Sequence, residues 1–275
     1  MKVVLFCGGL GLRLQEAGSR VPKPLIPVGQ QPILLHLMKY YAYHGHTEFI
    51  LCLGHNGHAF KEYFLNYNEA LQNDFVLAQG GREIELLKRD IEDWRITFVD
   101  TGRTATIGER LRLVRGHLEG EEHFLANYGD QLSDAPLESR IERIKREGKV
   151  ASVLSVKPSF TAHVLKTDAD GTVTDVGAMD DGSLWINGGY LIFRHDIFDY
   201  LQEGEELVEE PFRRLIAAGQ LITDRHEGFW APMDTLKEKN RLDALADTPV
   251  PPWAVWLQDS KVALETAVKR SVARV

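Results

Sequence analysis

The feature that most narrows the fold is a rhythm in the first 130 residues, where short apolar runs alternate with helix-patterned segments. Lys2–Cys7 is a continuous apolar run stopped by Gly8 and Gly9, the mark of a strand covered on both faces. Pro32–Tyr41 opens on a proline and keeps apolar residues three and four apart, which predicts a helix. Glu48–Leu53 is a second buried strand ended by Gly54, and Ala59–Glu69 a second helix. Arg95–Asp100 is a third strand, Gly108–Leu118 a third helix, and Glu122–Tyr128 a strand that ends at Gly129-Asp130. Strand–helix–strand in this order predicts an α/β chain, with a parallel sheet carrying helices on both faces.

The stretch from Asn66 to Trp94 is too long for an ordinary connection and has mixed charge and a Gly80-Gly81 turn, so it is expected to form its own small substructure. In the second half, Lys149–Val156 reads as a strand, Gly171–Val176 as a short strand or hairpin, and Trp185–Phe193 as a strand interrupted by Gly188-Gly189. Glu206–Ala218 reads as a helix, Leu221–Glu227 as a strand running into Gly228-Phe229-Trp230, and Asp259–Val275 as an amphipathic helical tail. No proline- or glycine-rich linker separates the halves. Residues 1–256 are therefore taken as one domain with halves of roughly 1–135 and 136–256, an insertion at about 66–94, and a tail at 257–275.

The 275 residues are 44% apolar and carry a net charge of −8. That apolar fraction excludes disorder as the main state. No apolar run approaches the roughly 20 residues of a spanning helix, and the N-terminal run breaks into glycines too early for a secretory signal, so a soluble, cytoplasmic protein is expected. The acidic balance argues against nucleic acid or an anionic membrane as a bulk partner. It leaves room for a phosphate ligand, which needs only a local cationic pocket. Cys7 and Cys52 sit inside apolar runs and are expected as buried, reduced thiols.

The chemistry concentrates first at Gly8-Gly9-Leu10-Gly11-Leu12-Arg13-Leu14, followed by Val21-Pro22-Lys23-Pro24-Leu25. Glycines directly after a first strand let the backbone approach a ligand, and their free N–H groups suit phosphate oxygens. A plain tight turn would use the same glycines. Arg13 and Lys23 add two cations within reach, as a polyphosphate requires. The dinucleotide pattern G-x-G-x-x-G fails because Leu14 stands where the third glycine belongs. The pattern G-x-x-x-x-G-K-[S/T] fails because Lys23 lies far beyond the loop.

What remains, G-G-x-G-x-R-L with a downstream K-P-L, resembles the sugar nucleotidyltransferase (nucleoside-diphosphate-sugar pyrophosphorylase) family. The resemblance continues in order through His55-Asn56-Gly57, Lys61-Glu62-Tyr63-Phe64, Val99-Asp100-Thr101-Gly102, Gly108-Glu109-Arg110-Leu111 and Tyr128-Gly129-Asp130. It then takes in Ile186-Asn187-Gly188-Gly189, Gly228-Phe229-Trp230-Ala231-Pro232-Met233-Asp234-Thr235 and the closing Pro252-Trp253-Ala254-Val255-Trp256. It covers roughly residues 1–256 and leaves Leu257–Val275 outside. Thymidylyl- and uridylyl-transferring relatives tend to carry Q-x-x-P-x-G-x-A at the third strand. Val99–Arg110 resembles the cytidylyl-transferring branch instead.

The resemblance implies a Rossmann-like, mixed but mostly parallel sheet of the nucleotide-diphospho-sugar transferase type, with a smaller sugar-binding lobe. It implies transfer of CMP from CTP to a sugar 1-phosphate, glucose 1-phosphate or a related sugar, giving a CDP-sugar and pyrophosphate. It also implies Mg2+ as cofactor and a homo-oligomer. Arg13, Lys23 and Asp130 would carry the reaction. Gly8, Gly9, Gly11, Arg13, Lys23, Thr101, Thr104, Gly108, Glu109, Arg110 and Asp130 would meet the nucleotide, although a D-T-G turn is also a common structural element. Tyr128, Asn187, Gly188 and Asp234 would meet the acceptor, the two glycines letting a ring lie on the backbone. Asp130 closes a strand at the carboxyl end of the sheet, and Asp234 follows an aromatic turn in the other half. Either alone could be a cap or turn residue; together they are the donor pair for magnesium.

One departure stands out. The family places a Glu-Lys-Pro segment shortly before I-N-G-G, its lysine meeting the sugar phosphate, whereas this chain has Val176-Gly177-Ala178-Met179-Asp180-Asp181. Either Arg103, Lys157 or Lys166 takes over, or the acceptor is a different phosphate or phosphonate. A nucleotide-binding relative without catalysis is the remaining alternative. His36, Lys39 and His44 share a helix without a second ligand cluster, which argues against zinc. Trp230, Trp253 and Trp256 are expected as packing residues, and the Glu203–Glu210 carboxylates as a solvated helix start.

Overall fold

The computed structural model describes residues 1–8, 21–158, 163–178 and 184–258. Its centre is an eight-stranded sheet. From one edge to the other run Leu221–His226, Ala151–Val156, the collinear pair Ile186–Asn187 and Leu191–Arg194, His123–Tyr128, Val3–Phe6, Glu48–Leu53 and Arg95–Asp100. Val3–Phe6 is parallel to both neighbours, Val3 standing opposite Phe49 on one side and Leu125 on the other. Ile186–Asn187 and Leu191–Arg194 run against their neighbours, so the sheet is mixed and mostly parallel.

Alternation along the first strand sorts two cores. Val3 and Leu5 face the helix Ile33–Tyr43 in a cluster with Met38, Tyr41, Tyr190 and Trp253. Val4 and Phe6 face the other way, onto Leu111, Phe124, Phe193 and Leu215. All four strand residues are at most 4% exposed, which is why the run is apolar at every position. Cys7 and Cys52 are buried free thiols, and burial pushes Cys52 up to about 12.

Several boundaries differ from expectation. Pro32 caps a helix that runs Ile33–Tyr43. The second helix is Gly57–Leu65, with a separate turn at Glu69–Gln72. The third is Ile107–Leu113 followed by a 3-10 turn at Arg115–Leu118. Trp185–Phe193 is two strands rather than one, because Gly189 (φ +71°) and Tyr190 (φ +46°) turn the backbone between them, held by the Tyr190 N–H donating to Asn127 Oδ1 (2.9 Å).

The helix expected from Glu206 runs Glu210–Ala217, with Pro211 in its first turn. Of the carboxylates expected as a solvated helix start, Glu203 and Glu209 are exposed and Glu210 opens the helix, whereas Glu205 and Glu206 are tied into the fold. Arg214 donates to Glu205 Oε1 (2.9 Å), and Glu206 Oε2 accepts from Ile107 N (3.3 Å). The 66–94 segment does form its own substructure, the hairpin Phe75–Ala78/Glu83–Leu86. A second hairpin pairs His163–Thr167 with Val173–Ala178. Two helices have no counterpart in the sequence reading, Leu137–Glu147 and Leu236–Ala246. The Asp259–Val275 helix lies outside the described residues. Among those described, no helix is long and apolar enough to cross a membrane.

Candidate active site

The carboxyl ends of the parallel strands form the floor, where open α/β sheets bind ligands. At the last of them, Asp130 sits between His123–Tyr128 and the short strand Gln131–Ser133. That strand pairs antiparallel with Trp230–Pro232, and Met233 N donates to Asp130 O (2.9 Å). The pairing draws Asp234 to Asp130 across the fold. Asp234 is fixed in turn by the helix behind it, whose Thr235/Glu238 capping box also takes the Asp234 N–H on Glu238 Oε2 (2.8 Å).

Lys23 arrives from the opposite side. It lies between Pro22 and Pro24 in a 3-10 turn, and Pro24 packs on Gly129, where an added Cβ would come within 3.1 Å of the ring. Lys23 Nζ is 2.5 Å from both Asp130 Oδ2 and Asp234 Oδ1. Burial pulls this amine down, but the two carboxylates outweigh it and hold its pKa above the ordinary lysine value. The lysine is therefore charged, and the trio keeps one negative charge in excess.

Two convergent hard-oxygen donors with excess negative charge fit a magnesium ion, which binds through one or two carboxylates and takes its other ligands from phosphates and water. No group of three or more His, Cys, Asp or Glu suited to a metal occurs among the described residues. The fit therefore rests on Asp130 and Asp234 alone, with substrate completing the shell.

Beside the trio opens a cavity of about 350 Å³ lined by Tyr128, Asp130, Gln131, Asn187, Trp230 and Asp234, among others. Asn187 Nδ2 donates to Tyr128 Oη (3.3 Å), and its Oδ1 accepts from Gly189 N (2.9 Å). Trp230 Nε1 donates to Gln131 Oε1 (3.0 Å) and to Gly188 O (2.9 Å), so this tryptophan is a wall of the cavity as well as a packing residue. The close approach that Gly188 and Gly189 permit is to the protein itself. A Cβ on Gly188 would lie 2.9 Å from Val156 Cγ1, and one on Gly189 would overlap Gln131 and Asn127.

Among the residues expected to meet the nucleotide, Arg110 is 2% exposed. Its Nη1 donates to Leu53 O (3.1 Å), Thr101 Oγ1 (2.6 Å) and Gly102 O (3.0 Å). The guanidinium fills the space a side chain at Gly8 would need, which sets a buried cation directly under the start of the glycine loop. Thr101 is itself buried and donates to Leu53 O (2.7 Å). Gly108 packs on the 205–207 backbone, where a Cβ would lie 2.5 Å from Glu205 O. Glu109 pairs with Arg112 (2.9 Å). Thr104 and Arg103 are exposed on the loop before the Ile107–Leu113 helix. Gly9, Gly11 and Arg13 lie outside the described residues, so Gly8 alone represents the loop here.

Lys166 is spent on Asp175 (3.2 Å) in an exposed hairpin, and Lys157 lies 4.3 Å from the ring centroid of Trp185. Gln131 and Asn127 were not among the residues expected from sequence. Asn127 is fully buried and its Oδ1 accepts from Gln131 Nε2 (3.1 Å), so the cavity floor is wired into the core.

The family model for nucleotidyl transferases matches residues 2–235. The glucose-1-phosphate cytidylyltransferases of Salmonella typhi and Salmonella typhimurium are each 35% identical over 258 residues, covering 93% of this chain and 100% of theirs. Among solved structures, HddC from Yersinia pseudotuberculosis superposes with a TM-score of 0.63 at 16% identity, covering 88% of this chain and 98% of that one, a likeness of fold. With the motif order, the sheet and the Lys23–Asp130–Asp234 centre, these matches establish that the chain belongs to the nucleotidyl transferase family and is a sugar nucleotidyltransferase.

Proposed function

We propose that the protein transfers CMP from CTP to a sugar 1-phosphate, releasing pyrophosphate. The observation that carries this reading is the convergence of Lys23, Asp130 and Asp234 at a cavity that Asn187 also lines. An oxygen of the acceptor's phosphate attacks the α-phosphorus of CTP. The bond from that phosphorus to the bridging oxygen of the β-phosphate breaks, and its electron pair leaves with pyrophosphate. The nucleophile is already an anion, so no general base is required. The protein's work is to hold two anions in line against their repulsion.

Lys23 supplies a fixed positive charge for the phosphates, with Arg13 of the glycine loop as its partner in this reading. The Arg110 guanidinium beneath Gly8 adds positive potential to the loop floor without leaving its carbonyl ligands. Asp130 and Asp234 would hold magnesium, which when bound neutralises phosphate charge. Tyr128 and Asn187 are placed to meet the acceptor's hydroxyls or phosphate. The choice of cytidine is supported by the Val99–Arg110 segment and by the names of the relatives.

The same reading makes residues 1–256 one catalytic domain, with the nucleotide on the first half and the acceptor on the second. It also includes assembly of several copies, supported by the exposed Val76, Leu77 and Ile84 of the 75–86 hairpin. The test is pyrophosphate release with each of CTP, UTP, dTTP, ATP and GTP against a panel of sugar 1-phosphates and Mg2+. Turnover with CTP above the others supports the reading; no pyrophosphate with CTP and any sugar 1-phosphate overturns it.

A further inference from the structure

The two carboxylates that fit magnesium already hold a cation. Lys23 Nζ lies 2.5 Å from Asp130 Oδ2 and 2.5 Å from Asp234 Oδ1, so one ammonium takes an oxygen from each. Among the described residues neither aspartate pairs with any other cation. The Lys23 side chain, 15% exposed, is the least exposed of the three, while both carboxylates line the acceptor cavity. The backbone around this contact is held independently of it. Leu25 N donates to Pro22 O (2.8 Å) and Ile26 N to Lys23 O (3.0 Å), and Leu25 is buried, so the turn keeps its shape wherever the ammonium points. Met233 N holds Asp130 O, and Glu238 Oε2 holds the Asp234 N–H. What can move is the flexible four-carbon stem of the lysine. The trio is two anchored carboxylates and a cation on a tether.

That tethered cation competes with a metal ion. Magnesium needs carboxylate oxygens at about 2.0–2.1 Å, and the oxygens it would draw from Asp130 and Asp234 are the ones the ammonium occupies. Two cations sharing the same pair of oxygens repel each other strongly, even at the effective dielectric of a protein surface. The lysine also cancels one of the two negative charges that would attract the ion. A triphosphate reverses this balance. Its oxygens offer the ammonium another anionic partner, with charge-assisted hydrogen bonds as strong as those it gives up, and they complete the oxygen shell that a magnesium ion requires.

We propose that Lys23 is a latch on the metal carboxylates: it holds Asp130 and Asp234 against free divalent ions and yields them when a nucleoside triphosphate takes its ammonium. Metal and nucleotide then bind as a pair, each raising the affinity of the other by the same factor. The latch rests on the reading of Asp130 and Asp234 as metal ligands and deepens it by giving the order in which their site fills.

The test is Mn2+ binding to the full chain without nucleotide or acceptor, read from loss of the free-ion electron paramagnetic resonance signal. It compares the natural protein, Lys23→Met, Lys23→Gln and the double variant Lys23→Met/Asp130→Asn. Either lysine variant should bind Mn2+ about tenfold or more tighter than the natural protein, and the added Asp130→Asn should remove that gain. An affinity equal to or below the natural one in both lysine variants, or a gain that survives Asp130→Asn, overturns the proposal. If the variants do not fold, thermal unfolding of the natural protein decides, because an ion bound to the folded state raises the midpoint. Mg2+ alone should leave that midpoint unmoved, and CTP with Mg2+ should raise it beyond CTP with EDTA. A rise with Mg2+ alone, or equal midpoints with and without Mg2+ beside CTP, overturns the latch. None of these readouts involves turnover. Absence of pyrophosphate release with CTP therefore removes the cytidylyl-transfer reading, while the latch stands or falls on binding.

Discussion

Lys23 and Asp234 are 211 positions apart in the chain, yet the lysine Nζ lies 2.5 Å from Asp234 Oδ1 and equally close to Asp130 Oδ2. One ammonium thus ties the Lys23–Leu25 turn to Asp130 and Asp234 at once. Lys23→Met removes the fixed cation and leaves two carboxylates facing each other. The expected outcome is a fall in kcat/KM for CTP of about 10²–10³, measured by pyrophosphate release, with the far-ultraviolet spectrum unchanged.

Gly108 distinguishes a packing role from a ligand role. Its Cβ-free face lies against the backbone of Glu205, which cannot swing aside as a side chain would. Gly108→Ala should lower unfolding stability by about 1–3 kcal/mol, read as a shift of the urea midpoint at constant slope. A variant of undiminished stability with a raised KM for CTP would assign the glycine to the nucleotide instead.

Arg110 makes the parallel case for the buried cation. Lysine cannot reproduce the fan of bonds from one guanidinium to Leu53 O, Thr101 Oγ1 and Gly102 O. Arg110→Lys should cost about 2–3 kcal/mol in urea unfolding by leaving buried acceptors unpaired. It should also raise KM for CTP, because the loop floor loses its shape.

Stability should depend on pH through His36. Burial holds this imidazole down at about 4. Its ring is committed as a neutral tautomer, with Trp253 Nε1 donating to Nδ1 (3.3 Å) and Nε2–H donating to Val28 O (3.0 Å). An unfolded histidine titrates near 6.5. Between about pH 6.5 and 4 the unfolded chain therefore binds a proton that the folded chain refuses. Stability from this group is full above that window and is lost as pH falls through it, by up to about 3 kcal/mol. His46, also held down at about 4 by burial, adds to the slope. Urea midpoints at pH 7 and pH 4.5 should show the loss, and His36→Gln should flatten it.

The centre of the sheet was legible because its strands are buried on both faces: Val3–Phe6 and Glu48–Leu53 leave almost no polar position to blur the pattern. The helix Leu137–Glu147 was not, since seven of its eleven residues are charged and only Leu137, Ile141 and Ile144 mark its apolar face. Even its buried Arg140 looks like a surface residue until Asp224 and Tyr190 O are seen around it. Asp130 and Asp234 were singled out from their motif frames, and the structure brings both to Lys23. Gln131 and Asn127 were missed because their roles depend on the bend at Gly189–Tyr190, a contact between distant strands that no local spacing encodes.

The central claim is that Asp130 and Asp234 act as one unit in cytidylyl transfer. The direct measurement is a double-mutant cycle on kcat/KM with CTP, Mg2+ and the preferred sugar 1-phosphate, using Asp130→Asn, Asp234→Asn and the pair. Each single change should cost about 10²–10³, and the double variant should be little worse than either. Additive losses, or near-natural turnover in either single variant, would contradict it.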